Sequence, residues 1–160
     1  MTSQHLCITS QNNDPRSIAL LRSAHDLGIT ALTGINVSDL VFFRGNIPND
    51  TKHLIESLLV DSLLQFGEWN SSSTAHEHVV ETALHPGVTD STTDELLRVI
   101  RRMDLPVDGV ASGKRFELQG TLSPSELERL ISALLANPII ERWSVDSPIE
   151  PLFVDSQATA

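Results

Sequence analysis

Few residues in this sequence are of a type and spacing that could do chemistry. Cys7 is the only cysteine, so there is neither an internal disulfide nor a cysteine-based zinc cluster. As a nucleophile it would need a positioned base and an electropositive setting. It stands instead in the short apolar run HLCIT, which reads as a strand, where a free cysteine behaves as a small hydrophobe. His76-Glu77-His78 offers two imidazoles and a carboxylate, all good ligands for zinc or iron. In an extended segment the two histidines share a face but supply only two ligands, and no third can be identified, so the cluster reads as a polar strand entrance.

His85-Pro86-Gly87 joins a strand to a helix, and such a loop can present backbone N–H groups to an anion. There is no G-x-x-x-x-G-K-[ST] and no G-x-G-x-x-G, so the loop reads as a turn and not as a phosphate cradle. Lys114-Arg115 sets two adjacent positive charges at an expected turn, free to meet an acidic partner, a phosphate or solvent. No carboxylate pair stands in an acid/base motif, and no Ser, His and Asp stand in a nucleophile elbow. The reading therefore assigns no catalytic, cofactor-binding or metal-ligating residue.

The elements that position these residues follow from composition and pattern. Apolar residues make up 40% of the 160 and charged residues 20%, the balance of a globular chain with a modest core. The formal net charge of −10 leaves no positive footprint for nucleic acid. No charged leader precedes an apolar segment and no apolar run approaches membrane length, so the chain is expected to be cytoplasmic and free of membrane contact.

Self-comparison decides the architecture. Aligning Asp14 with Asp90 brings Leu20-Leu21-Arg22 onto Leu96-Leu97-Arg98, and HLIESLLVDSLLQ from His53 onto RLISALLANPIIE from Arg129. Between them Gly34 and Gly45 meet Gly109 and Gly120 after a single-residue gap. The chain is read as a duplication: a first unit over 1–70, a linker over 71–77, a second unit over 78–146 and an acidic mobile tail over 147–160.

Each copy starts with a strand, His5 to Thr9 and His78 to Leu84. A helix follows, capped by Asp14-Pro15 and by Asp90. Its apolar stripe is Ile18, Leu21 and Leu27 before Gly28 in one copy, and Leu96, Leu97, Ile100 and Met103 before Pro106 in the other. Next come two extended stretches with a tight turn, Leu32 to Val37 then Leu40 to Arg44, and Val107 to Ala111 then Lys114 to Gln119, with Ser112-Gly113 as the second turn. Ser123-Pro124-Ser125-Glu126 opens a second helix as a capping box, Leu127, Leu130, Ile131, Leu134 and Leu135 carry it, and Asn137-Pro138 ends it before a strand from Ile139 to Val145.

The expected fold is thus α+β: two tandem β-α-β-β-α-β units, two-layered, with mainly antiparallel sheets, helices on one face, and pseudo-symmetric pairing that makes one chain a pseudo-dimer. One feature goes further. Val41 and Phe43 match Phe116 and Leu118 on the inward face, so Leu40 and Phe42 match Arg115 and Glu117 on the other. Both faces of that strand are then apolar in the first copy, and a second surface must cover it.

HPGVTD at 85–90, SGKRFEL at 112–118 and LLANPIIE at 134–141 occur in the order and spacing of the PurS family, and the region from about 79 to 145 resembles it. The first copy departs from that pattern, with Asn12-Asn13 where Gly-Val would stand and Ser38-Asp39 in place of Gly-Lys. The tandem pair is similar to the N-terminal region of the single-chain phosphoribosylformylglycinamidine synthase. The resemblance implies a non-catalytic assembly module of that synthase in purine biosynthesis, inactive in isolation, bridging a glutaminase and a synthetase. ATP and magnesium would belong to the synthetase. Its partners would be those components, or further domains of a longer chain. The expected interface residues are Leu40, Phe42, His85, Gly87, Gly113, Lys114 and Arg115. The alternative is a tandem ACT-like small-molecule sensor, which shares the order of elements and would bind its ligand between the copies.

Overall fold

Side chains of a strand alternate between two faces, and that alternation decides where the helices sit. The computed structural model describes residues 3–73, 76–85, 87–88 and 90–155. Its elements are β1 (Ser3–Ser10), α1 (Pro15–Asp26), β2 (Gly34–Arg44), α2 (Asn49–Leu59), β3 (Gln65–Trp69), β4 (His78–Leu84), α3 (Ser91–Met103), β5 (Gly109–Gln119), α4 (Pro124–Leu130), β6 (Glu141–Val145) and β7 (Val154–Asp155). A π-helical turn over Ile131–Leu135 prolongs α4. The caps are those the sequence announces: Asp14 accepts from the Arg16 N–H, Asp90 from the Thr93 N–H, and Ser123 with Glu126 closes a capping box.

The strands form one antiparallel sheet in the order β3-β1-β2-β5-β4-β6, with β7 pairing to β5. The fold is α+β with two like halves, and each half keeps its place in the duplication. The turns expected at Ser38-Asp39 and Ser112-Gly113 do not form. Each pair of extended stretches runs on as one strand of 11 residues, and β2 and β5 pair along their whole length, from Gly34 opposite Gln119 to Arg44 opposite Gly109. A hairpin within one copy is outcompeted by a long ladder between copies, because the ladder pairs every main-chain group on that edge. At its middle Asp39 faces Lys114. The repeat makes these two equivalent, so a local two-fold axis passes between them.

The face bearing Leu6, Ile8, Val37, Val41, Phe43, Val80, Val110, Phe116 and Leu118 carries all four helices, in two clusters. One lies under α1 of the first unit and α4 of the second, with Ala24, Leu130 and Ile131. The other lies under α2 and α3, with Ile55, Leu96 and Ile100. Each cluster draws on both units, so neither copy has a core of its own.

Two stripes differ from expectation at their ends. Ile18 and Leu27 are 52% and 39% exposed, and Met103 is 52% exposed. α1 presents Leu20, Leu21 and Ala24 to the sheet instead, because α4 of the other unit packs beside it and sets its roll. α3 ends at Asp104, in a left-handed conformation, ahead of Pro106.

Leu40 and Phe42 are 1% and 4% exposed on the face without helices. The chain itself covers them. Ile149 is buried there with Cys7, Ala83 and Ala111, and Phe153 packs against the same cluster. The stretch expected to be a mobile tail therefore lies across the sheet as far as β7, while residues 156–160 are outside those described.

Candidate functional site

On the helix side a cleft of about 240 Å³ crosses the local two-fold axis. Its walls come from every segment that carried the family resemblance: Asp90 from the loop after β4, Ser112, Gly113 and Lys114 from the middle of β5, and Glu141 from the start of β6. The first unit closes it with Ile8, Asp39, Val41, Leu59 and Gln65. Gln65 and Glu141 are equivalent in the repeat, as are Asp39 and Lys114, so the cleft has a first-copy and a second-copy wall.

Its acids are already engaged. The Asp39 carboxylate accepts from the Arg16 guanidinium at 3.0 and 3.1 Å, and Arg16 also holds Asp14 at 2.8 Å. That guanidinium holds the Asp14 carboxyl below the usual range against the opposing effect of burial, and Asp14 and Asp39 raise Arg16 in turn. Glu141 accepts from the Asn137 N–H at 3.0 Å. Lys114 is half-buried and has no ion-pair partner among the described residues. The cleft thus offers one uncommitted ammonium group beside satisfied carboxylates, a surface that selects a polar partner by placement more than by net charge.

Asp90 ties the cleft to α3. Its carboxylate accepts from the Thr93 N–H at 2.8 Å and from the Ser112 hydroxyl at 3.0 Å. Desolvation pushes its pKa up, but the hydrogen bonds from Thr93 and Ser112 outweigh it and hold the group below its ordinary value. The N-terminus of α3 thus carries its own anion.

A folded-state pKa below the unfolded value near 4 contributes stability above that value, and the contribution fades as pH falls through the folded pKa. Asp90→Ala should therefore melt about 5 °C lower at pH 7, from the loss of about 1–2 kcal/mol of capping. The gap should narrow in acid, below the ordinary carboxylate range, as the wild-type carboxyl protonates. Melting curves of both proteins at the two pH values check this, and an unchanged gap in acid would locate the effect elsewhere.

The remaining expected interface residues separate. Gly113 and Lys114 line the cleft, as does Leu40, whose side chain packs on the other face with Phe42. Leu40, Phe42 and Arg115 share the opposite face, and Arg115 is not at an exposed tip. It is 5% exposed, with Nε donating to Glu81 at 2.8 Å and its terminal nitrogens donating to the Ser71 hydroxyl at 3.0 Å and carbonyl at 2.8 Å. Sequence reasoning missed its partner Glu81, also buried, whose other oxygen accepts from the Ile149 N–H at 3.1 Å. The signal was a lone carboxylate inside a strand rich in apolar residues. Arg115 also lies 3.6 Å from the Cys7 sulfur, the electropositive neighbour that the sequence did not announce. His85 turns to the α4–β6 connection, its Nε2 donating to the Pro138 carbonyl at 3.2 Å, and Gly87 is exposed at φ 81°. Pro86 lies outside the described residues.

The histidine cluster is divided. His76 lies 3.2 Å from Glu117, His78 lies 3.6 Å from Asp146, and Glu77 accepts from the Gly120 N–H. Among the described residues no group of three or more His, Cys, Asp or Glu is placed to hold a metal ion. None of their helices is long and apolar enough to cross a membrane.

Residues 77–148 match the PurS family model, described as phosphoribosylformylglycinamidine (FGAM) synthase. Over that span the chain is similar to the PurS family. The match runs from the residue before β4 to beyond β6, and so takes in the second unit and every second-unit wall of the cleft. The likeness to that family is thus confined to the second unit. No curated protein matches the chain. The first unit stands outside the PurS match, yet it supplies half of the sheet and one helix to each core cluster.

Proposed function

We propose that the chain is a non-catalytic bridging module of FGAM synthase that couples a glutaminase to a synthetase. The PurS match carries the reading. It is supported by the first unit standing where a second PurS domain would pair, so that one chain supplies both halves of a pseudo-dimer. A second support is the pair of exposed apolar patches at the two sides of the sheet. Leu63 and Leu64 before β3 are 83% and 59% exposed, and their repeat equivalents Ile139 and Ile140 before β6 are 83% and 38% exposed. Exposed apolar patches mark contact sites, and a bridge needs one on each side.

Reconstitution tests it. Adding the chain to its cognate synthetase and glutaminase should raise glutamine-dependent FGAM formation at least fivefold, with ammonia-dependent turnover by the synthetase changed far less. Ile139→Asp should keep the melting temperature and lose most of that gain, since the altered side chain already faces solvent. Equal glutamine-dependent rates with and without the chain would remove the reading. A tandem small-molecule sensor is the second reading, favoured by the cleft lying between the units; it would show as a metabolite raising the melting temperature of the isolated chain.

A further inference from the structure

One length of strand edge is covered in the second unit and open in the first. β4 pairs with β5 only from Leu118 to Gly113. Beyond that point β7 takes its place, with Val154 opposite Val110 and Asp155 opposite Gly109. The other edge of β5 is filled by β2 throughout, so β7 lies on the β4 side. In the first unit β1 pairs with β2 only from Arg44 to Ser38. The rest of that edge, Gly34–Val37, is the repeat equivalent of Gly109–Ser112, and among the described residues no strand lies beside it.

A cavity of about 290 Å³ occupies the place. It opens past the end of β1, between β2 and the first turns of α1. Ile35 and Val37 line it from the strand, and Ile18 and Leu21 from the helix. Its rim is mostly uncharged, with Asn12, Asn13, Asn36 and Gln119 on it. The one acid on it, Asp14, is held by Arg16.

We propose that this slot docks an extended peptide segment of a partner protein, which adds to β2 as an antiparallel strand in the way that β7 adds to β5. Main-chain hydrogen bonds to the open edge would supply affinity, and alternate side chains would enter the apolar space beneath α1. The segment it fits is uncharged and apolar at those alternate positions. A second copy of this chain is the poorer occupant, because its C-terminal segment would have to leave the edge of its own β5, exchanging one pairing for a like one without net gain. The inference stands independently of the bridging role.

The segment that fills the equivalent place is a ready probe. A synthetic peptide with the sequence of residues 151–155, PLFVD, should bind the whole chain one to one. Amide resonances of Gly34–Val37 should shift in nitrogen-15 spectra, and hydrogen exchange there should slow. The same peptide methylated on its main-chain nitrogens should not bind. Ile18→Glu alters a side chain that is 52% exposed, so it should melt as the wild type and bind the peptide at least tenfold more weakly. Shifts confined to Gly109 and Val110, showing exchange with β7, would overturn the proposal. So would a silent Gly34–Val37 edge, equal binding of the methylated peptide, or unchanged affinity in Ile18→Glu.

Discussion

Gly113→Ala is expected to lower the melting temperature by about 10 °C or more, although it adds a single methyl group. Gly113 sits mid-strand in β5 opposite Ala83, where β4 and β5 approach so closely that a Cβ would stand well inside contact distance of the Thr82 carbonyl oxygen. That neighbour is main chain, so no rotamer change relieves the clash, and the ladder that holds β4 to β5 must open. A backbone displacement of that kind falls among the severe single substitutions, about 3 kcal/mol or more, and each kcal/mol moves the transition of a chain this size by about 2–4 °C. Gly87→Ala is the control. It has a positive φ of 81° but no atom of the described residues within 4 Å of the added one, so it should cost only about 1–2 kcal/mol. Equal melting shifts for the two variants would show that the approach of β4 to β5 is not what requires glycine. The Gly-Lys pair in the PurS-like segment is then a close-approach position next to a cleft residue, and not a turn.

Arg115→Met should be as damaging, and for an electrostatic reason. It leaves the Glu81 carboxylate buried, with the Ile149 N–H as its remaining described donor, and it strips Ser71 of both its bonds to the guanidinium. Breaking one partner of a buried pair costs about 3–5 kcal/mol, chiefly because the other charge stays behind without compensation. The expected outcome is a fall of about 10 °C in melting temperature, with faster amide exchange around Ser71 and Ile149, the two segments this pair holds onto the sheet. The double variant Glu81→Leu with Arg115→Met should recover most of the loss, since two apolar side chains replace two desolvated charges. A double variant no better than the single one would show that the hydrogen bonds to Ser71, and not the stranded charge, carry the effect.

Both variants are at positions where local signals pointed the wrong way. Ser112-Gly113-Lys114-Arg115 has the composition of a turn, small and flexible then charged, and nothing within the segment distinguishes a turn from a strand crossed closely by another strand. The distinction rests on what lies opposite: β2 on one edge and β4 on the other, one of them from the other copy. Arg115 reads as part of that turn, because a charged side chain has no reason to be buried until Glu81 and the Ser71 segment are brought to it.

The sequence by itself determined what depends on near neighbours and on period. Asp14, Asp90 and the Ser123–Glu126 box mark helix starts in the chain as in the structure, because a cap satisfies N–H groups two or three residues away. The duplication, the α+β class and the bounds of β4 were equally legible. So was the alternation that sends Val41 and Phe43 to one face and Leu40 and Phe42 to the other, since a strand cannot change its period. Only the tertiary structure decided how the copies combine: which helices share a core, that β2 and β5 form one ladder in place of two hairpins, that the residues of three separate segments meet in one cleft, and that the chain's own later residues cover Leu40 and Phe42. Those outcomes rest on contacts between residues far apart in the chain, whose free energy depends on burying surface and pairing main-chain groups across the whole molecule, and no local window of sequence contains it.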